Sequence, residues 1–324
     1  MYKPSTKAAW LGRTDTQDGA LGLRWHQAMQ FLNLSESIQA VNPNEVAFAF
    51  LGFCCDEGVS RNMGRVGAAV GPAALRTAMA SFAYHLPEHA QLFDAGDVLC
   101  TNHNLEEAQE QLGRKIDSLL AHGYRPLVLG GGHEIAYGHY LGLERTAASK
   151  TLGILNFDAH FDLRSYTQQP SSGTPFLQIA DRCQENGNTF KYEVIGLQEY
   201  GNTRILFQTA DRLEVKYTFA EQVQSHNLPE LINNLKNFLE TVDRLYITVD
   251  LDVFAAGYAP GVSAVNALGL QPEVVLTLLK TAAQSGKLLS IDIAELNPAF
   301  DIDNRTAKLG AGILYHVVSN WCKV

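Results

Sequence analysis

Leu152-Gly153-Ile154-Leu155-Asn156-Phe157-Asp158-Ala159-His160-Phe161-Asp162-Leu163-Arg164 runs an apolar strand straight into three metal-type ligands at alternate positions. In extended chain successive side chains alternate faces, so Asp158, His160 and Asp162 are expected to converge on one side. Two carboxylates flanking an imidazole make half of a divalent-cation site. A second apolar run, 244–249, repeats the pattern by ending in Asp250-Leu251-Asp252. Two more buried runs have polar ends. Residues 126–129 lead through Gly130-Gly131-Gly132 to His133, and 287–293 lead to Glu295.

These strand ends are predicted to meet, because α/β sheets collect functional residues beyond the carboxyl ends of their strands. Asp158, Asp162, Asp250 and Asp252 together carry four negative charges, which repel severely unless cations intervene. Two divalent ions would neutralise them, with His133 and His160 completing the ligand set. Metals about 3.5–4 Å apart share a water and lower its pKa toward neutrality. Oxygen and imidazole donors without thiolate suit Mn2+ better than a structural zinc.

Around this centre, strand and helix patterns alternate. Strands are expected at 46–53, in a short segment around 91–99, and at 126–129, 151–157, 192–197, 213–217, 244–249 and 287–293. Helices are expected at 72–84, after Asn104, from about Glu134, and at 228–241, 272–285 and 306–321. Residues 56–68, rich in glycine and arginine, are expected to be a loop. The alternation predicts an α/β domain over 1–324 with a mainly parallel sheet covered on both faces. Residues 1–45 are expected to form an extension draped on it, with one short helix.

The chain has 324 residues, 46% hydrophobic and 18% charged, which suits a globular protein with a large core. Its net charge of −9 argues against sequence-independent binding of nucleic acid. No secretory signal is visible, and the longest uncharged apolar run is too short to span a bilayer. Five cysteines without C-x-x-C spacing read as reduced thiols, so a cytoplasmic location without membrane contact is expected.

Gly-Gly-x-His, Asp-Ala-His-x-Asp and Asp-x-Asp, in this order on these strand ends, resemble the arginase–agmatinase–formimidoylglutamase family of binuclear manganese hydrolases. The resemblance runs from about residue 46 onward and takes in Asp94-Ala95-Gly96-Asp97 and Gly71-Pro72. It implies a three-layer α/β/α arginase-like fold and a homo-oligomer. It also implies two Mn2+ ions per subunit on His133, Asp158, His160, Asp162, Asp250 and Asp252. Glu295 would contact the cationic group being hydrolysed.

Arginases and agmatinases usually carry Gly-Gly-Asp-His-Ser, whereas this chain has Gly131-Gly132-His133-Glu134. Ser172 stands where agmatinases tend to carry a histidine before Gly-Thr-Pro-Phe. Trp10-Leu11-Gly12-Arg13-x-Asp15, Arg24-Trp25-His26-Gln27 and Pro260-Gly261-Val262-Ser263-Ala264 look like the formimidoylglutamase branch. N-formimidoyl-L-glutamate has a cationic amidine at one end and two carboxylates at the other. Arg164 offers a carboxylate a planar fork, and Asn62 and Arg65 lie on a loop within reach of the pocket. The expected reaction is attack by an activated water, oriented by Asp162, on the amidine carbon, releasing glutamate and formamide. A guanidino-hydrolase that releases urea and a non-catalytic homologue are the rival readings.

Overall fold

The computed structural model describes residues 1–147, 150–167 and 169–324. Among these residues ten strands build one sheet. They are β1 (Tyr2–Lys3), β2 (Met29–Phe31), β3 (Val46–Cys54), β4 (Ala90–Leu99), β5 (Arg125–Leu129), β6 (Leu152–Phe157), β7 (Lys191–Leu197), β8 (Lys216–Phe219), β9 (Arg244–Asp250) and β10 (Leu288–Ala294). The helices are α1 (Trp25–Ala28), α2 (Glu57–Arg61), α3 (Gly71–Met79), α4 (Leu105–Ala121), α5 (Ile135–Thr146), α6 (Pro175–Asn186), α7 (Arg204–Arg212), α8 (Leu228–Glu240), α9 (Pro272–Ala283) and α10 (Arg305–Trp321).

The strand order is β1-β4-β3-β5-β10-β9-β6-β7-β8, with β2 also on β4, and among the described strands only β1 runs antiparallel. Alternate side chains of the sheet feed two cores. Leu245, Ile247 and Val249 face a layer of α3, α8, α9 and α10. Ile154 and Tyr246 face a layer of α4, α5, α6 and α7. This is the expected three-layer α/β/α arrangement.

Local chemistry sets the boundaries. The Asn104 side chain accepts the Glu107 N–H at 3.2 Å and caps α4. Leu105, Leu112, Ile116 and Leu119 bury one face of that helix, and Gly123 at φ 83° turns the chain away from it.

Several expectations need correcting. The segment around 91–99 is one unbroken strand, β4, because β3 pairs along its whole length and absorbs an irregularity between Phe50 and Gly52. Helix α3 stops at Met79 rather than at 84. The loop 56–68 contains a short helix, α2. The strand expected at 213–217 lies at Lys216–Phe219, because Val215 still closes the end of α7 with a bond to the Ala210 carbonyl. Helices α6 and α7 have no counterpart among the expected elements. For α6 the signal is present in the sequence, since Pro175 opens it and Phe176, Ile179, Ala180 and Cys183 share a buried face.

The extension over 1–45 is also more than drapery, for it adds β1 and β2 to the sheet. Trp10 is fully buried and donates its indole N–H to Asp94 Oδ2. Arg76 holds the same carboxylate through two further bonds at 2.7 and 3.0 Å. Arg24 pairs with Asp15, and the His26 ring lies 2.8 Å from the Ala80 carbonyl. The branch-like N-terminal motifs therefore fasten the extension to α3 and β4. Trp10→Phe removes a hydrogen bond to a buried carboxylate and should cost roughly 2 kcal/mol in urea unfolding. All five cysteines are free thiols. Among the described residues no helix is long and apolar enough to cross a membrane.

Candidate metal centre

The four strands with polar ends, β5, β10, β9 and β6, are consecutive in the sheet. Their carboxyl ends therefore deliver His133, Glu295, Asp250 with Asp252, and Asp158 with its followers to one place. His133 Nδ1 lies 3.1 Å from Asp158 Oδ2, 2.9 Å from Asp162 Oδ2 and 3.2 Å from Asp250 Oδ2. His160 Nδ1 lies 3.4 Å from Asp158 Oδ1 and 3.2 Å from Asp252 Oδ2. Two donor groups result, His133–Asp158–Asp250 and Asp158–His160–Asp252, and Asp158 belongs to both.

These donor residues do not converge by strand pleating. The chain leaves β6 at Phe157, and the His160 N–H folds back onto Asp158 Oδ1 at 2.7 Å. The Asp252 N–H does the same to Asp250 Oδ1 at 2.8 Å. Each Asp-x-x step is an Asx-type turn, which brings residues i and i+2 together without extended backbone. Asp162 and Glu295 have φ of 48° and 66°, left-handed conformations costly for residues with a Cβ. Such strain gathers where function demands a particular side-chain aim.

Electrostatics make the cluster hungry for cations. Burial, then Asp252 and Asp158, push the Asp250 carboxyl well above its usual value. Burial and Asp158 raise Asp162 too. Burial works against charge on His133, but its bonds with Asp158 and Asp162 override it and raise the imidazole well above its ordinary pKa. Among the described residues, one oxygen of Asp252 is buried without a hydrogen-bond partner. A set of hard oxygen and imidazole donors, mutually repelling and incompletely satisfied, fits two divalent cations.

A buried network that the sequence does not advertise orients these donors. His133 Nε2 lies 3.1 Å from Thr248 Oγ1, which donates to Asp292 Oδ1 at 2.6 Å. With that hydroxyl proton committed, Thr248 must accept Nε2–H, which leaves the Nδ1 lone pair of a neutral imidazole for a metal. Asp292 also binds the Tyr246 hydroxyl and His139, which reaches Ser290. Asn156 donates to Asp158 Oδ2 at 3.0 Å, and Asn202 braces the following loop through Ala159 and Phe161. Thr248→Val should weaken metal affinity about 10–100-fold, measured by competition with a chelator, and leave the fold intact.

A cavity of about 290 Å3 opens above the cluster, lined by Asn62, Arg65, Arg164, Ser172 and Glu295 among others. Glu295 Oε1 accepts the His133 N–H at 2.9 Å, while among the described residues its buried Oε2 has no partner. Burial and then Glu134 push the Glu295 carboxyl up to about 8. Asn62 donates to the Ser172 hydroxyl at 3.2 Å. Arg164 is exposed and, among the described residues, its guanidinium makes no ion pair or hydrogen bond. The Arg65 guanidinium is occupied, binding the Val262 and Ser263 carbonyls and lying 4.0 Å over the Phe300 ring.

Glu134 has a role that its place in the motif does not reveal. It is fully buried and accepts the Gly58 N–H at 2.9 Å, tying the loop that carries Asn62 to the glycine turn before His133. Gly131 has to be glycine there, since a Cβ would strike the Cys55 carbonyl.

Comparison with known proteins agrees with this geometry. Residues 46–319 match the model of the arginase family. The chain is 42% identical to the formimidoylglutamase of Clostridium tetani, over all of this chain and 97% of that one. It is 45% identical to that of Chromobacterium violaceum, over 94% of this chain and 96% of that one. Among solved structures, the Trypanosoma cruzi formiminoglutamase with Mn2+ superposes with a TM-score of 0.77 at 26% identity. That match covers 86% of this chain and 94% of the other. Sequence motifs, fold and the two donor groups converge, and the chain belongs to the arginase family.

Proposed function

We propose that the chain hydrolyses N-formimidoyl-L-glutamate to L-glutamate and formamide with two Mn2+ ions per subunit. The observation that carries this reading is the two-ended charge of one pocket. Among the described residues the buried Oε2 of Glu295 has no partner, and it offers an acceptor to a cationic amidine, whose charge draws the carboxyl to its ionised form. Arg164, free of other partners among the described residues, offers a fork to a carboxylate. A substrate cationic at one end and anionic at the other satisfies both. The near-full-length relatives called formimidoylglutamase support the substrate class. The donor set and a relative solved with Mn2+ support the metal.

His133, Asp158 and Asp250 would hold one ion and Asp158, His160 and Asp252 the other, with Asp162, 2.9 Å from His133 Nδ1, completing the set. When bound, the ions neutralise the carboxylates and make a water acidic enough to lose a proton near neutral pH. Glu295 accepts hydrogen bonds from the amidinium and fixes its carbon over the cluster. Arg164 and the Asn62–Ser172 pair hold the glutamate end. Asp162, at the cavity floor, takes the proton of the attacking water and returns it to the departing amine. The water oxygen joins the amidine carbon, and the carbon–nitrogen bond to glutamate breaks.

The test is an assay of protein reconstituted with Mn2+ on N-formimidoyl-L-glutamate and on guanidino compounds. Formamide and glutamate, abolished by chelation, are the expected products. Urea from a guanidino compound would overturn the substrate. Bound metal without turnover of any amidine would favour a non-catalytic homologue.

A further inference from the structure

A second cavity, of about 390 Å3, lies between α8 and strands β7 and β8. It sits toward the amino ends of those strands, away from the metal centre beyond their carboxyl ends. Glu193, only 5% exposed, lines it, and among the described residues its buried Oε2 makes no hydrogen bond. Glu193 stands directly across from Lys216 in the parallel β7–β8 pair. Lys191, two residues earlier on β7, shares its face, and Glu214 lies at the rim. Two acids and two lysines thus surround one cavity. Among the described residues, none of the four makes an ion pair within 4.0 Å.

Burying a carboxylate without a partner is costly, and ordinary sheet positions avoid it. Burial pushes the Glu193 carboxyl up to about 7, with Lys216 opposing the rise. Asn234 and Asn237 of α8 add amides that both donate and accept, while Phe238 supplies apolar wall. A carboxylate held dry at the base, with cations and amides around it, is a preorganised counter-group for a ligand bearing both charges.

We propose that this cavity is a second small-ligand site, taking a compact zwitterion such as a free α-amino acid. The ammonium group lies against Glu193, and the carboxylate meets Lys191 and Lys216. The site is independent of the reaction assigned to the metal centre.

The experiment is calorimetric titration of full-length protein with amino acids of graded size. Decarboxylated amines of matching length serve as controls. All titrations use an Arg164→Ala background, so that binding of a carboxylate in the catalytic cavity is suppressed. At least one amino acid should bind with one site per chain, and its matching amine should bind at least about tenfold more weakly. Glu193→Gln should weaken that binding by about tenfold or more while melting at or above the parent, because a buried charge is removed. Asn237→Leu, at an exposed position of α8, gives a second variant that removes an amide from the cavity wall without touching the buried charge. It should weaken binding likewise. The proposal is overturned if no amino acid binds below about 10 mM, if both variants bind as the parent does, or if amines bind equally well.

Discussion

Asp158→Asn should lower kcat by at least about a thousandfold and abolish stabilisation by added metal. The substitution preserves shape, and an amide oxygen can still accept the His160 N–H that shapes the turn. What it removes is the charge common to both donor groups, so both cation positions suffer at once. Metal at about a hundred times its Kd should add roughly 2.7 kcal/mol to the parent protein. In a chain of this size that corresponds to a Tm gain of roughly 4 °C, which the variant should lack.

Asp250→Asn supplies an informative contrast in chelated protein. Burial works to raise Asp158, but its bonds to two histidines hold it low, so losing its charge removes favourable pairing. Asp250 is buried and crowded by Asp252 and Asp158, so neutralising it relieves repulsion. Scanning calorimetry with chelator should show Asp158→Asn melting below the parent and Asp250→Asn at or above it. Neither variant should respond to metal as the parent does. If both retain the full metal-dependent rise in Tm, the cation positions lie elsewhere.

The parts of this molecule that a sequence displays are those governed by short-range pattern. Strand β6 and its Asp-Ala-His-x-Asp sequel are contiguous, and each buried run of hydrophobic residues marks one strand of the central sheet. Strand order is different. Only the sheet shows that β5, β10, β9 and β6 are neighbours, which turns four separate polar strand ends into one site. The alternation rule groups residues that do converge, but for an incomplete reason, since Asx turns and a left-handed Asp162 make the convergence. Thr248 and Asp292 stay hidden in the sequence because their roles depend on contacts across three strands. Within the motifs they read as ordinary strand residues. Arg65 and Arg164 look alike in sequence, and only their partners separate them.

That separation makes the second strong prediction. Arg164→Ala should lower kcat/KM on N-formimidoyl-L-glutamate by about a hundredfold, mainly through KM. A fork of charge-assisted hydrogen bonds to a carboxylate contributes about 1.5–3 kcal/mol, and its loss leaves amidine chemistry at Glu295 in place. Arg164→Lys should recover only part of the affinity, because an ammonium cannot make the paired, planar contact. Arg65→Ala should behave differently. Its guanidinium already serves two backbone carbonyls and the Phe300 ring, so its removal should loosen the loop at Val262 and Ser263. It should therefore lower Tm and depress kcat and KM-dependent steps together, whatever the charge on the substrate. The comparison is sharpened with a formimidoyl compound that lacks the glutamate carboxylates. Such a substrate should be insensitive to Arg164→Ala and still sensitive to Arg65→Ala. The reverse pattern would move carboxylate recognition to Arg65 and require its carbonyl contacts to break on binding.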